Sequence, residues 1–386
     1  MTPAARVQTA AECLDEILAG APAEQVLTRW ARASRFAGSK DRAAVRDHVY
    51  DVLRRRRSVM PEGLAETGRA LMLGLLAQDG ADLEPLFDGR PYGPAPLSED
   101  ERAALAASRP VAVDLPDWII PRLEAALGED FAANAEAMRH RAPVFLRVNL
   151  RKTTPQKAAI ALQKDGIETV TSPLAETALE VTEGARRVAQ SAAYRDGLVE
   201  LQDASSQAAI AALSLSDGAR VLDYCAGGGG KTLAMAGRCQ GTFFAHDIEP
   251  RRMRDLPDRA KRAGVTVACL EAPDVRAKAP YDLVFCDVPC SGSGTWRRTP
   301  DAKWRFSEAD LAALLPVQAT ILREAAGLVS EGGRLVYATC SLLPEENSAQ
   351  VDAFLADHPD WQLDLSRHWT LADGCDGFFV AQLCRA

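Results

Sequence analysis

The chain has 386 residues, 47% of them hydrophobic and 25% charged, with a formal net charge of −8 and a pI near 5.4. That length supports two or three domains with substantial cores, and the acidic balance excludes a protein that coats nucleic acid through bulk charge. The nine cysteines form no C-x-x-C pair and the five histidines are scattered, so no metal site is expected and most thiols should be reduced core residues.

The first twenty residues carry Glu12, Asp15 and Glu16 inside a helical apolar pattern, unlike a signal peptide. No apolar run is long enough to span a bilayer, so the expected location is cytoplasmic, away from membranes. Residues 1 to about 77 read as helices, because "AAECLDEIL", "AEQVLTRWA", "KDRAAVRDHVYDVLRR" and "GRALMLGLLAQ" repeat apolar residues every three or four positions. Residues 1–60 hold eleven Lys and Arg against seven Asp and Glu, including the run Arg54 to Arg57. By itself that run reads equally as a solvated helix end and as a phosphate-contacting patch.

The Pro- and Gly-rich "DGRPYGPAPLSEDE" reads as a linker, followed by short helices around 98–108 and 119–140. From Pro143, "PVFLRVNLRK" alternates like a strand and "TPQKAAIALQKDG" like a short helix. From Gly218, strands and helices alternate, as in a mostly parallel sheet with helices on both faces. The predicted strands are "ARVLDYC", "GTFFAHDI", "VTVACLE", "YDLVFCDV", "GRLVYATC" and "GFFVAQLC", with a long helix from Ser307 that closes at Gly332-Gly333. These textures divide the chain at 1–140, 141–205 and 206–386.

The first strand of the last region runs into "CAGGGGKT". A phosphate-binding P-loop needs a glycine five residues before its last one, and that position is Cys225. The glycines still let the backbone approach a ligand at a helix N-terminus, outside the carboxyl ends of the strands. The second strand ends at Asp247, 24 residues after Asp223, where an acid commonly holds ribose hydroxyls. A nucleoside is indicated, and either NAD or S-adenosylmethionine fits.

The fourth strand separates them. It ends "CDVPCSGSG", bringing Asp287 and Cys290 to the cleft mouth, and the fifth ends "YATCS", delivering Cys340. Neighbouring strands lie about 5 Å apart, so two thiols would face one cofactor. Carbon 5 of a pyrimidine is a poor nucleophile. A thiolate adding at carbon 6 makes an enamine that takes an electrophilic methyl group at carbon 5, provided the thiol is ionised by its setting. An acid at the ring edge, such as Asp287, can hold the nitrogen side. The stretch "WRRTPDAKWR", Trp296 to Arg305, interleaves two tryptophans with basic residues and is expected to stack bases and contact phosphates. His246, alternating with Asp247, is given no role. Cys239, Cys269, Cys286, Cys375 and Cys384 are expected in the core.

The motifs "DYCAGGGGKT", "AHDI", "DVPCSGSG" and "YATCSLLPEEN" resemble, over about residues 143–386, the Nol/Nop/Sun family of RNA cytosine-5 methyltransferases. The resemblance implies a Rossmann-like class I methyltransferase domain, preceded by a small RRM-like α/β module and an all-α NusB-like RNA-binding domain. It implies S-adenosylmethionine as cofactor, RNA (first among them small-subunit ribosomal RNA) as partner, and a monomer. Cys340 would be the nucleophile and Cys290 would assist release. Cys225, Ala226, Gly227, Gly228, Gly229, Gly230 and Lys231 would form the cofactor loop, with contacts from Asp247, Asp274 and Asp287. One departure stands out: the family's loop reads A-P-G-G-K-T, and here Gly227 and Gly228 replace alanine and proline, which should loosen it. The alternatives are a tRNA member of the family, a non-catalytic RNA-binding assembly factor and a P-loop NTPase.

Overall fold

A computed structural model gives the fold and describes residues 1–107 and 113–385. Residue 108, at the end of one expected helix, lies outside the described residues.

The helical patterns of the N-terminal region form Pro3–Leu18, Ala23–Ala33, Ser39–Arg54 and Gly68–Gln78. The first begins where the Thr2 hydroxyl accepts the Ala5 amide and Pro3 opens the first turn. Their apolar stripes bury Leu14, Val45, Val49, Leu71 and Met72 in one core. This unit comprises Met1–Glu124, Glu129–Arg141 and, from much later in the chain, Trp296–Ser307.

That late segment corrects one expectation. Trp296 is only 1% exposed, Lys303 is fully buried, and the Trp304 indole donates to the Leu53 carbonyl at 2.6 Å. Trp296 therefore packs inside the helical unit and cannot stack a base, while Trp304 is half-buried against that unit's core with the Arg56 guanidinium over its ring. Burial also pushes the Lys303 amine down to about 7, and the amine donates to the Arg54 carbonyl.

The arginine run is likewise absorbed. Arg54 is buried, donating to the Arg297 carbonyl and pairing with Asp51 at 2.8 Å. Arg55 pairs with Asp79, Arg56 with Glu66, and Arg57 with Asp117. The phosphate-patch reading counted only near neighbours, whereas three of these acids lie 10 to 60 residues away.

The second unit holds Ala125–Gly128, Ala142–Thr295 and Glu308–Ala386. Its smaller sheet contains β1 (Val144–Val148), β2 (Glu168–Thr171), β3 (Ala178–Glu183) and β4 (Val199–Leu201), all antiparallel in the order β2-β3-β1-β4. Its larger sheet contains β5 (Ala219–Asp223), β6 (Gly241–Ala245), β7 (Val267–Cys269), β8 (Tyr281–Asp287), β9 (Val329–Thr339), β10 (Trp361–Trp369) and β11 (Phe378–Arg385). The order is β10-β11-β9-β8-β5-β6-β7; the pairs from β9 across to β7 are parallel, and β11 runs antiparallel to both of its neighbours, β9 and β10.

Alternation along the strands feeds a core on each face. Leu222, Val284 and Tyr337 point into one; Val221, Leu283 and Val336 point into the other. β10 was not expected: "WQLDLSRHW" alternates at Trp361, Leu363, Leu365 and Trp369, but most of the strand is exposed and Arg367 interrupts the apolar side. The long helix spans Glu308–Ala326 and ends before Gly332-Gly333, which lie inside β9. Among the described residues no helix is long and apolar enough to cross a membrane.

Candidate active site

Chain order reverses between β5 and β8, the adjacent strands from which connections run to opposite sides of the sheet. A crevice opens outside their carboxyl ends at such a point. There a cavity of about 1000 Å³ is lined by Asp223, most of the glycine loop, Asp247, Asp287, Cys290 and Cys340.

The loop is held at several points. The Gly227 amide donates to Asp247 at 2.8 Å, and the Ala226 amide to the His246 carbonyl at 2.8 Å. Gly229 adopts φ +77° as the helix Gly230–Arg238 begins, and a Cβ there would come within 2.3 Å of Leu256. Only glycine fits. Gly229 faces that side chain and does not line the cavity, while Cys225, Ala226, Gly227, Gly228, Gly230 and Lys231 do. Two guanidinium groups brace the loop from outside: Arg259 donates to the Gly228 carbonyl, and Arg147 of β1 to the Gly230 carbonyl at 2.8 Å. The extra glycines at 227 and 228 are therefore pinned through their backbones by the Asp247 and Arg259 side chains.

The Asp247 carboxylate also accepts the Glu249 amide at 2.9 Å and pairs with Arg252 at 3.3 Å. His246, expected to turn away, lines the cavity because β6 ends at Ala245 and alternation stops there. Its ring lies 5.3 Å from that of Tyr224. Asp274 sits in the first turn of Ala272–Ala277, exposed and outside the cavity lining. Cys269, expected in the core, is exposed, since only three residues of β7 form and its last one faces solvent.

Asp223, at the end of β5, is 1% exposed. One oxygen accepts the Thr232 hydroxyl at 2.6 Å, and the other, Oδ1, has no partner. Burial pushes its carboxyl up to about 7. Composition and spacing marked Asp223 only as a reference point, because an orphaned oxygen is invisible without the surrounding packing.

β8 and β9 pair directly, with Asp287 opposite Ala338, and so bring Cys290 and Cys340 together. Their sulfurs are 3.4 Å apart. With Cys290 as donor, this bond holds the Cys340 thiol below its ordinary range against burial, and the Lys231 cation adds to the effect. The same bond, then burial, hold Cys290 well above its range. Burial pushes the Cys225 thiol up too, leaving Cys340 the thiol best prepared to ionise. Lys231 pairs with Asp287 at 2.6 Å; burial opposes its charge, and the ion pair more than offsets that. Gly294 lets three backbones converge beside the thiols: it donates to the Cys340 carbonyl and accepts from the Gly377 amide, both at 2.9 Å. A Cβ on Gly294 would meet Gly377 Cα at 2.5 Å. The far wall is the helix Glu308–Ala326, through Pro316, Val317, Thr320, Ile321 and Glu324.

Fold and site together define the Rossmann-like, S-adenosylmethionine-dependent methyltransferases. The profile of 16S rRNA methyltransferase RsmB/F matches residues 210–384, and that of an RsmF/B-like ferredoxin-like domain matches residues 115–188. The chain is 36% identical over 287 residues to ribosomal RNA small subunit methyltransferase B of Klebsiella pneumoniae, covering 70% of this chain and 66% of that protein. It is 33% identical over 298 residues to the probable ribosomal RNA small subunit methyltransferase B of Synechocystis, covering 70% of this chain and 67% of that one. A crystal structure of a methyltransferase homologue from Pyrococcus horikoshii superposes with a TM-score of 0.60 at 26% identity, covering 69% of this chain and 94% of that one. The chain thus belongs to the RsmB/F methyltransferase family, the Nol/Nop/Sun group that its motifs resemble. It spans about two thirds of the length of the curated relatives it matches.

Proposed function

We propose that the protein methylates carbon 5 of a cytosine in RNA, with small-subunit ribosomal RNA as the substrate, through a covalent adduct on Cys340. The observation that carries this reading is the 3.4 Å approach of two thiols at the strand ends facing the glycine-loop cavity. Relatives named as small-subunit ribosomal RNA methyltransferases support the choice of RNA.

The residues fit the cofactor. Asp223 Oδ1, buried and without a partner, matches an ammonium group such as that of the methionyl end, and Asp247 matches ribose hydroxyls. The cofactor supplies an electrophilic methyl group.

Cys340, as thiolate, adds to carbon 6, and the electron pair released at carbon 5 takes the methyl. Asp287 holds the nitrogen edge of the base. Transfer of the carbon 5 proton to solvent returns the electron pair to the ring and breaks the carbon–sulfur bond, and Cys340 leaves as a thiolate that Cys290, beside it, stabilises by its hydrogen bond. The test is incubation of the protein with cofactor and unmodified small-subunit RNA, followed by bisulfite sequencing. One protected cytosine is expected, absent with Cys340→Ala. Full protection with that variant would rule out the adduct on Cys340.

A further inference from the structure

We propose that Glu346 is a positioning residue that sets the separation of the two cysteine sulfurs, by tying the residue after each cysteine to a single buried carboxylate. The proposal deepens the covalent reading above and rests on it. β8 and β9 stop pairing at Asp287 and Ala338, before either cysteine, so no strand ladder fixes the distance between the thiols.

Beyond the one backbone bond from Gly294 to the Cys340 carbonyl, the two loops are joined by a polar network. Glu346 is fully buried. Its Oε1 accepts the Ser291 amide at 2.8 Å and the Gln318 amide at 2.9 Å. Its Oε2 accepts the hydroxyls of both Ser291 and Ser341. Ser291 follows Cys290 and Ser341 follows Cys340. The same Gln318 amide also donates to the Pro289 carbonyl at 2.9 Å, holding the other side of Cys290. Ser293 adds a second crosslink by accepting the Leu342 amide at 2.8 Å.

None of these bonds to the carboxylate comes from a cation. A buried carboxylate without a counter-ion is costly, and several hydrogen bonds to the charge are what make it tolerable. Apolar packing alone would stabilise the loops at lower cost, but would not lock two short loops to each other within a few tenths of an ångström. Glu346 itself is anchored to β9, because the Tyr337 hydroxyl donates to its carbonyl at 2.6 Å. The carboxylate is thus referenced to the strand that leads into Cys340 while holding the loop carrying Cys290.

The first readout takes Cys340 alone, without RNA, and adduct formation and cofactor affinity follow. Rates of iodoacetamide alkylation at Cys340, located by peptide mass mapping, are measured across pH for the parent, Ser341→Ala and Glu346→Gln. Ser341→Ala removes one arm and leaves the charge. Glu346→Gln keeps the shape and removes the charge, along with one acceptor. If Glu346 positions the sulfurs, both variants lose the bond from Cys290, and the alkylation midpoint moves up by half a pH unit or more. Covalent adduct formation with RNA falls at least tenfold, while cofactor affinity stays within twofold. A parent midpoint in Ser341→Ala, or a downward shift in Glu346→Gln, overturns the proposal, the latter because it reports only the removed negative charge. Should Glu346→Gln fail to fold, Ser341→Ala decides alone. Failure of the covalent reading looks different, since it appears as methyl transfer by Cys340→Ala.

Discussion

The Cys290 sulfur lies 3.4 Å from that of Cys340, and this one bond drives the two thiols apart in acidity. The thiol expected to attack is eased toward thiolate and its neighbour is kept protonated. Cys290→Ala removes the bond that eases Cys340 toward thiolate, so it should attack RNA more slowly than the parent, but once attached it should stall, accumulating over time a protein–RNA species that survives denaturing gels. Cys340→Ala and the double variant should not. Trapping by Cys340→Ala instead would exchange the two roles.

Asp247 orders the cofactor loop as well as facing the cavity, through the amides of Gly227 and Glu249 and the Arg252 guanidinium. Asp247→Ala removes charge-assisted hydrogen bonds worth about 1.5–3 kcal/mol each. S-adenosylmethionine affinity should fall roughly ten- to a hundredfold by calorimetry, a factor of ten per 1.4 kcal/mol. Unchanged affinity would remove Asp247 from the cofactor site.

Asp223 makes a prediction about pH. Its carboxyl is raised from 3.8 to about 7 in the folded protein, so the folded state holds a proton that the unfolded chain releases. Stability attributable to this group should fall as pH rises from about 4 to about 7 and stay flat above. Asp223→Asn should abolish that slope and melt at a higher temperature than the parent at pH 8, by roughly 1–3 kcal/mol of stability. If the cofactor's ammonium group pairs with the ionised carboxylate, cofactor affinity in the parent should rise with pH through about 7, and the variant should lose that rise. Identical melting curves for both proteins at pH 8 would count against a strained Asp223.

The arginine run predicts a null result in RNA binding. Arg55, Arg56 and Arg57 already hold acids, so replacing all three by Ala should leave the salt dependence of RNA affinity unchanged within error. Arg54→Ala, which breaks buried bonds to Asp51 and the Arg297 carbonyl, should cost about 1–3 kcal/mol of stability in denaturant titrations. A flatter salt slope in the triple variant would restore the run as a phosphate contact.

The sequence alone determined the parts governed by local period and by strand ends. Alternation in "ARVLDYC" and "YDLVFCDV" marked two-faced strands, and Leu222 and Val221 do feed opposite cores. Motifs following consecutive strands indicated one cleft, and parallel pairing delivers Asp223, Asp247, Asp287 and Cys340 to it. What the tertiary structure decided were pairings between distant residues and places where a period stops. The acids beside Arg55 and Arg57 come from Asp79 and Asp117, too far along the chain for any window to reach. Trp296 and Trp304 read as stacking residues by composition, yet the chain buries Trp296 and packs Trp304 half-buried against the helical core, where apolar area leaves water. His246 broke the alternation because β6 had ended, and β10 went unread although Trp361, Leu363, Leu365 and Trp369 alternate, because Arg367 interrupts that side and pairing with β11 holds a mostly exposed strand. Glu346 sits inside the recognised "TCSLLPEEN" run, but its part in holding two loops appears only when residues 291 and 341 meet across 50 positions. Local pattern specifies which face a residue takes; which partner it meets there depends on chain closure, and that is a property of the whole fold.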